Sequence, residues 1–311
     1  MTKKEKILIG ALSTVTALTV LSAGALYTHR YFPKGEENEV FSSPEGYVEA
    51  AIDEMLYEVD PDSLTKEMSV DFSDLEKNIE TTIAENQKLV GGDWSVYVKV
   101  LESGDTLSMN QTKMQAASVI KLFVMGAVYE HYEELTEKYP YEDIDALTES
   151  MITISDNEAT DYLVFLLGSG DYIQGRAVVN EFCRDNGFTN TSMDRMMADD
   201  NIYSDNYTTT EDCALMLEKI YNGEFKHSKD MMNYLMHQTR NNKIPAGLPN
   251  SVAHANKTGE LMDVENDVAI VFAKKPYLLC VMSDGVGDYQ IPIDGIVEIS
   301  EATYEYIRDN T

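Results

Sequence analysis

The sequence predicts an α+β fold, in which an antiparallel sheet formed by both ends of a domain is covered by terminal helices and joined to an all-helical subdomain. Three observations support this prediction. Alternating apolar and polar residues predict two strands early in the domain, and long helical patterns fill its middle. Two further apolar strands and a closing helix follow near the end of the chain.

The domain is expected to span residues 71–311. Ser73 and Glu76 predict a capping box at the start of its first helix. The remaining predicted elements of the sheet, in chain order, are a strand "WSVYVKVLE" (94–102), a turn "GD", a strand "TLSMN", two strands "DVAIVFA" (267–273) and "YLLCVMS" (277–283), and a last helix over roughly 297–309.

The N-terminal residues 1–28 predict a signal anchor. Three lysines lie within residues 1–6, and residues 7–27 carry no charge, which is long enough to span a bilayer. Basic residues before the span predict a cytoplasmic N-terminus, so the domain is expected outside a cell membrane of Gram-positive type, after a single pass. Cleavage at "SAGA" would instead give a secreted protein. Residues 29–70 predict an acidic stalk broken by Pro and Gly.

Composition excludes several classes of function. The chain has 54 acidic and 24 basic residues, a net charge of −30, so a nucleic-acid-binding role is not expected. The three cysteines do not form a disulfide framework, and the five histidines do not fall at metal-ligand spacing. We expect no metal and no cofactor, and a monomer whose ligand is small.

The first candidate motif is Ser118-x-x-Lys121, in the apolar stretch "QAASVIKLFVMGAVYEH". Residues i and i+3 share a helix face, and a buried lysine can lose its proton near neutral pH and act as a base toward a nearby serine. The simpler alternative is a lysine whose stem is buried and whose amine reaches water. The spacing alone is common, because Ser63 and Lys66 match it in the predicted stalk.

Two further motifs each have an ordinary structural explanation. Ser155-Asp156-Asn157 lies between two helical segments, where these residue types commonly cap a helix. A second "SDN" at 204–206 leads into a polar loop. "NKTGEL" (256–261) places Gly259 at a predicted strand end, where a glycine lets another backbone or a ligand approach closely.

Together and in this order, the three motifs are typical of class A β-lactamases and penicillin-binding proteins. The sequence resembles the class A β-lactamase family over most of residues 71–311. The segments that support the resemblance, in the family's order, are "ASVIKLFVMGAV", "ITISDNEATDYLV", "DRMMADDN", "TTTEDCALML" and "IPAGLPNSVAHANKTGEL". The fold implied is class A β-lactamase-like.

The resemblance implies acyl transfer through a serine ester. Ser118 would attack the carbonyl of a β-lactam or a peptide-like amide, and Lys121 would accept its proton. Ser155 would pass a proton to the leaving nitrogen, and Lys257 would polarise Ser155 and attract the substrate carboxylate.

The same resemblance implies a set of substrate-binding residues. Thr258 would hydrogen-bond the substrate carboxylate, and Asn157 would hold the side-chain amide. The N–H groups of Ser118 and Glu260 would form the oxyanion hole, beside Gly259.

The loop after the second motif departs from the family pattern. The family reads approximately Asp-Arg-x-Glu-x-x-x-Asn, and its glutamate hydrolyses the acyl-enzyme. In "DRMMADDN" (194–201), Met197 occupies the glutamate position, and methionine cannot activate water. Asp199 and Asp200 are nearby carboxylates, and Asn201 aligns with the family's asparagine. We expect slow deacylation.

A second departure is the interval of 37 residues between Ser118 and Ser155, which is shorter than is typical of class A enzymes. A more open cleft would admit a larger ligand. Three hypotheses therefore remain open: a β-lactamase-type serine hydrolase, a penicillin-binding-like peptidase or transpeptidase acting on D-Ala-ended peptides or peptidoglycan fragments, and a non-catalytic module that binds cell wall or β-lactams.

Overall fold

The computed structural model describes residues 70–199 and 204–311. The predicted anchor (1–28), all but the last residue of the predicted stalk (29–70), and the loop candidates Asp200 and Asn201 lie outside these residues. Within the two described ranges, no helix combines the length and the apolar character that a bilayer crossing needs.

The chain order of the elements is a helix, three strands, a long helical block that contains one short strand, and then three strands and a helix. The helices are α1 (Ser73–Val90), α2 (Lys121–Glu130), α3 (Tyr132–Lys138), α4 (Ile144–Thr153), α5 (Asn157–Leu167), α6 (Tyr172–Asp185), α7 (Thr210–Tyr221), α8 (Ser228–Met236) and α9 (Gln290–Asn310), with 3₁₀ turns at Ala117–Ile120 and Ile244–Gly247. The strands are β1 (Asp93–Val100), β2 (Thr106–Met109), β3 (Met114–Gln115), β4 (Tyr207–Thr208), β5 (Ala253–Leu261), β6 (Val264–Phe272) and β7 (Tyr277–Asp284).

The main sheet has five antiparallel strands in the order β2-β1-β7-β6-β5. Its centre joins the two ends of the domain, because β1 pairs with β7 from Asp93↔Asp284 to Val100↔Tyr277. The predicted sheet formed by both ends of the domain is therefore confirmed. A second, two-stranded sheet pairs β3 with β4 just before the turn that carries Ser118.

Each face of the main sheet packs against its own set of helices, because side chains alternate along a strand. On β7, Leu278 and Cys280 belong to the core shared with the helical block, whereas Leu279 and Val281 belong to the core shared with α1 and α9. The sheet is thus the middle of three layers, and β5 is an edge strand. The predicted terminal helices and helical subdomain are confirmed.

Two sequence-based predictions about the starts of helices were wrong. Ser73 does not form a capping box: Phe72 precedes the first helical residue without a side-chain cap, and Asp71 accepts hydrogen bonds from the backbone N (3.0 Å) and Oγ (2.6 Å) of Ser73. The last helix begins at Gln290 rather than near 297. Its first turn contains Pro292, which resembles a loop residue in sequence but is tolerated there because N-terminal N–H groups lack helical partners.

Gly259 allows β5 to pack directly against the turn that carries Ser118. A Cβ atom at this position would lie 2.7 Å from the carbonyl oxygen of Ala116, 3.0 Å from Cγ2 of Val119 and 3.2 Å from Cβ of Ala117. The first contact involves backbone, which cannot turn aside as a flexible side chain can. The expected close approach at this glycine is therefore present, and it fixes the Lys257 strand beside Ser118.

We predict that Gly259→Ala lowers the free energy of unfolding by about 1–3 kcal/mol, the usual cost of overpacking a close contact. Urea unfolding of the described domain measures the change. Ala253→Ser, at an exposed position of the same strand, is the control and should stay within about 0.5 kcal/mol of wild type. A wild-type unfolding free energy for Gly259→Ala would show that β5 can shift without loss.

Candidate active site

Ser118 lies in the 3₁₀ turn that leads into α2, and it is partly exposed. Ala117, immediately before it, has a φ of 46°, which is uncommon for a residue with a side chain. The turn is held on both sides: the N–H of Ala116 donates to the carbonyl of Asn206 (2.7 Å), and Asn266 Nδ2 donates to the carbonyl of Ala116 (3.3 Å). Strained backbone held by its surroundings is common at functional sites.

Lys121, three residues after Ser118, is fully buried. Its amine does not extend to water, as the simpler interpretation of the motif required. Instead Nζ donates to the carbonyl (2.7 Å) and Oγ (3.2 Å) of Ser155 and to Oδ1 of Asn157 (2.6 Å). The first two motifs therefore meet at one amine.

The Ser-Asp-Asn motif both caps a helix and contributes to the site. Asp156 caps α5 by accepting from the N–H groups of Glu158 (2.8 Å) and Ala159 (3.1 Å). The two residues beside it, Ser155 and Asn157, contact Lys121. Ser155 has a φ of 61°, a second strained position at the site.

Lys257 completes the group from β5. It is fully buried, and its Nζ donates to Ser155 Oγ (2.9 Å) and to the carbonyl of Thr258 (2.9 Å). Ser155 Oγ therefore lies between two lysine amines. The structure brings together Lys121, Ser155, Asn157 and Lys257, next to the turn of Ser118.

Burial lowers the pKa of both lysines. The pKa of Lys121 falls to about 7, because desolvation, assisted by the charge of Arg240, outweighs the attraction of Asp156 and Asp161. Desolvation also lowers the pKa of Lys257 well below its ordinary value, and the positive charge of Lys121 adds to the effect. A neutral lysine near pH 7 is a competent proton acceptor.

Thr258 and Glu260 lie on the opposite face of β5 from Lys257, as the alternation along a strand requires. Thr258 is only 1% exposed. The carboxylate of Glu260 pairs with Arg240 (Nη1–Oε2, 2.6 Å) and Lys243 (Nζ–Oε1, 3.2 Å). Burial acts to raise the pKa of Glu260, but these two cations outweigh it and the pKa falls.

Sequence reasoning missed Arg240 and Lys243, which precede the Ile244–Gly247 turn. Lys243 is fully buried and also pairs with Glu265 (2.6 Å). Arg240 remains about half exposed at the end of β5, near enough for its charge to act on both active-site lysines. The available signal was two basic residues in the short stretch "RNNK" of a strongly acidic chain.

The loop that contains Met197 lies against α5. Asp161 accepts hydrogen bonds from the backbone N–H groups of Met197 (to Oδ1, 2.7 Å) and Ala198 (to Oδ2, 3.0 Å). Arg195 pairs with Asp205 (3.0 Å). Asp199 is exposed, and of the predicted loop candidates it is the one within the described residues.

The fold and these contacts describe a serine-lysine site between a helical subdomain and the edge of an antiparallel sheet. The model of the Beta-lactamase enzyme family matches the chain over residues 74–150 and 138–307. The chain belongs to this family. A comparison with curated protein sequences gave no match.

Solved structures of β-lactamases share the fold. A β-lactamase from Xanthomonas campestris pv. campestris has 21% sequence identity and a TM-score of 0.65, over 75% of this chain and 98% of that chain. A β-lactamase from Burkholderia vietnamiensis has 21% sequence identity and a TM-score of 0.65, over 75% of this chain and 97% of that chain. A variant of the class A β-lactamase of the last common ancestor of Gram-negative bacteria has 21% sequence identity and a TM-score of 0.65, over 75% of this chain and 100% of that chain. The fold is class A β-lactamase-like.

We predict that Lys121 makes stability rise with pH. Its pKa is about 7 in the folded protein against an ordinary 10.5, so between these values the unfolded chain binds more protons and the free energy of unfolding increases as the pH is raised. The unfolding free energy of wild type minus that of Lys121→Met should therefore increase by about 1 kcal/mol over one pH unit near pH 8. Urea unfolding at several pH values measures it.

The control is Lys88→Met, at an exposed position of α1, which should stay within about 0.5 kcal/mol of wild type. A flat difference for Lys121→Met would mean that Lys121 stays protonated in the folded state.

Proposed function

We propose that the protein is a serine hydrolase of the β-lactamase type, which opens a β-lactam amide through a covalent ester on Ser118. The observation that supports this most strongly is the pair of buried lysine amines on Ser155 Oγ, one of which belongs to Lys121, three residues after Ser118. A site that only binds a ligand has no need of this proton-transfer group. For that reason we do not favour the non-catalytic alternative.

Acylation requires two proton transfers, which Lys121 and Ser155 perform. Neutral Lys121 accepts the Ser118 hydroxyl proton, and Oγ bonds to the carbonyl carbon of the substrate. The N–H groups of Ser118 and Glu260 stabilise the oxyanion, each such donor typically contributing about 3–4 kcal/mol. When the C–N bond of the ring breaks, the nitrogen takes the proton of Ser155, which lies within hydrogen-bond distance of both lysines and is reprotonated by one of them.

An anionic substrate fits the cationic end of the site. A β-lactam carries a carboxylate, and Arg240 supplies positive charge near β5 in a chain of net −30. Thr258 supplies a hydroxyl for that carboxylate, and Asn157, which is exposed, supplies an amide for the substrate's side chain.

Turnover is slow in this proposal. Met197 contributes no proton acceptor, and its backbone N–H is bonded to Asp161. The ester on Ser118 therefore forms more readily than water removes it.

A D-Ala-ended peptide is the second candidate substrate, with the chain acting as a peptidase or transpeptidase. It is favoured by the interval of 37 residues between Ser118 and Ser155, which is bridged by short helices and leaves room for a larger ligand. The same acylation steps apply, with a terminal D-Ala as the leaving group.

The proposal places the domain outside the cell membrane, on a single-pass anchor. The uncharged residues 7–27 after three lysines support this placement.

We predict a covalent adduct between the protein and benzylpenicillin, with the mass of one intact penicillin added at Ser118. Intact-mass spectrometry over time measures its formation and decay, and Ser118→Ala should give none. Decay over minutes to hours is expected because Met197 cannot activate water. Decay within seconds would contradict slow deacylation, whereas no adduct on wild type would contradict the proposed function.

We also predict that protease added to intact cells digests the domain while leaving a cytoplasmic marker protein whole. Cells lysed before treatment serve as the control for intrinsic susceptibility. Digestion in lysed cells but complete protection in intact ones would disprove the external location.

A further inference from the structure

Hydrolysis of the ester needs a base, and the described residues offer four carboxylates whose charges act on the active-site lysines. They are Asp156 and Asp161, which act on Lys121, and Glu260 and Asp267, which act on Lys257. The contacts and exposure of these carboxylates distinguish Asp161 from the other three.

All four carboxylates have partners, and for three of them these partners lie outside the loop that contains Met197. Asp156 caps α5 and also accepts from Ser150 Oγ (3.2 Å). Glu260 is held by two cations on the far side of β5. Asp267 is fully buried, and its two oxygens accept from Asn256 Nδ2 (3.0 Å) and the N–H of Ile244 (3.0 Å).

Asp161 differs in position and exposure. It follows Asn157 by one helical turn and so shares its face of α5, and Asn157 Oδ1 lies 2.6 Å from the amine of Lys121. Asp161 is a partly exposed residue. The two N–H groups of the loop, at Met197 and Ala198, bind one oxygen each and fix its orientation. A carboxylate oxygen can accept more than one hydrogen bond, so each oxygen can also bind water.

We propose that Asp161 is the base that hydrolyses the acyl-enzyme. This inference rests on the proposed function, because it requires an ester on Ser118. A water molecule gives a proton to Asp161 while its oxygen bonds to the ester carbonyl carbon. The bond from that carbon to Ser118 Oγ then breaks, Oγ recovers a proton, the acid is released, and Asp161 returns to its ionised form.

The test separates formation of the benzylpenicillin adduct from its decay in Asp161→Asn, by time-resolved intact mass. Asparagine keeps the size of the side chain and one acceptor for the loop, but it cannot accept a proton. The adduct should form within about twofold of the wild-type rate and decay at least 100-fold more slowly, the lower range for loss of a general base. Glu158→Gln removes an exposed carboxylate from the same helix and should change neither rate.

A second variant distinguishes a base from a support for the loop. In Asp161→Ala, added formate should restore part of the lost decay rate, because a free carboxylate can occupy the vacated position; a purely structural role gives no such restoration. Decay at the wild-type rate in Asp161→Asn, equal loss of formation and decay, or transfer of the effect to Asp199→Asn would each overturn the inference.

Failure of the two proposals can be told apart. If wild type forms no adduct, the proposed function fails, and the role of Asp161 fails with it. If wild type forms an adduct that does not decay, acylation stands and the assignment of Asp161 as the base is wrong.

Discussion

The site depends on the removal of two lysine amines from water around a single hydroxyl. Lys121 and Lys257 are both fully buried, and both donate to Ser155 Oγ. Two buried ammonium groups this close would repel each other strongly, so the favourable state leaves at least one of them neutral. The group that holds Ser155 therefore also contains a proton acceptor at neutral pH. Burial of the two lysines is costly for stability, but it produces the neutral amine that acyl transfer needs as a proton acceptor.

Backbone features bring these groups together. Asp156 fixes the start of α5 and thereby aims the carbonyl of Ser155 at Lys121. Gly259 lets β5, with Lys257, lie against the turn of Ser118. Ala117 and Ser155 adopt positive φ, which neighbouring contacts maintain. The site is thus distributed over three chain segments whose relative positions are set by the main chain, and its side chains have little freedom to rearrange.

Much of the fold and of the site could be predicted from the sequence, because the signals are local. Alternation predicted β1 and β2, and apolar stretches predicted β6 and β7, with boundaries that differ by up to three residues from those observed. The three motifs predicted four groups that the structure brings together. Contacts between distant segments could not be predicted. Lys243 appears in sequence as a polar loop residue, yet it is fully buried between Glu260 and Glu265.

The contacts of Asp161 are a second example of contacts between distant segments. In sequence Asp161 is one acidic residue of a helical pattern, and the pattern contains no indication of the two loop N–H groups that it binds. Those partners lie 36 and 37 residues further along the chain. The carboxylates expected from the sequence to matter were those within the loop itself, because adjacency along the chain was the available guide.

The central pairing of β1 with β7 has a consequence for how the chain reaches its native state. Strand β1 is made about 180 residues before its partner β7, so the middle of the sheet cannot close until β7 has emerged. Long-range pairing of this kind slows folding. A chain released before β5 would therefore present Ser118 and Lys121 without Lys257, and it would leave the apolar face of the helical block uncovered, where chaperones and proteases act.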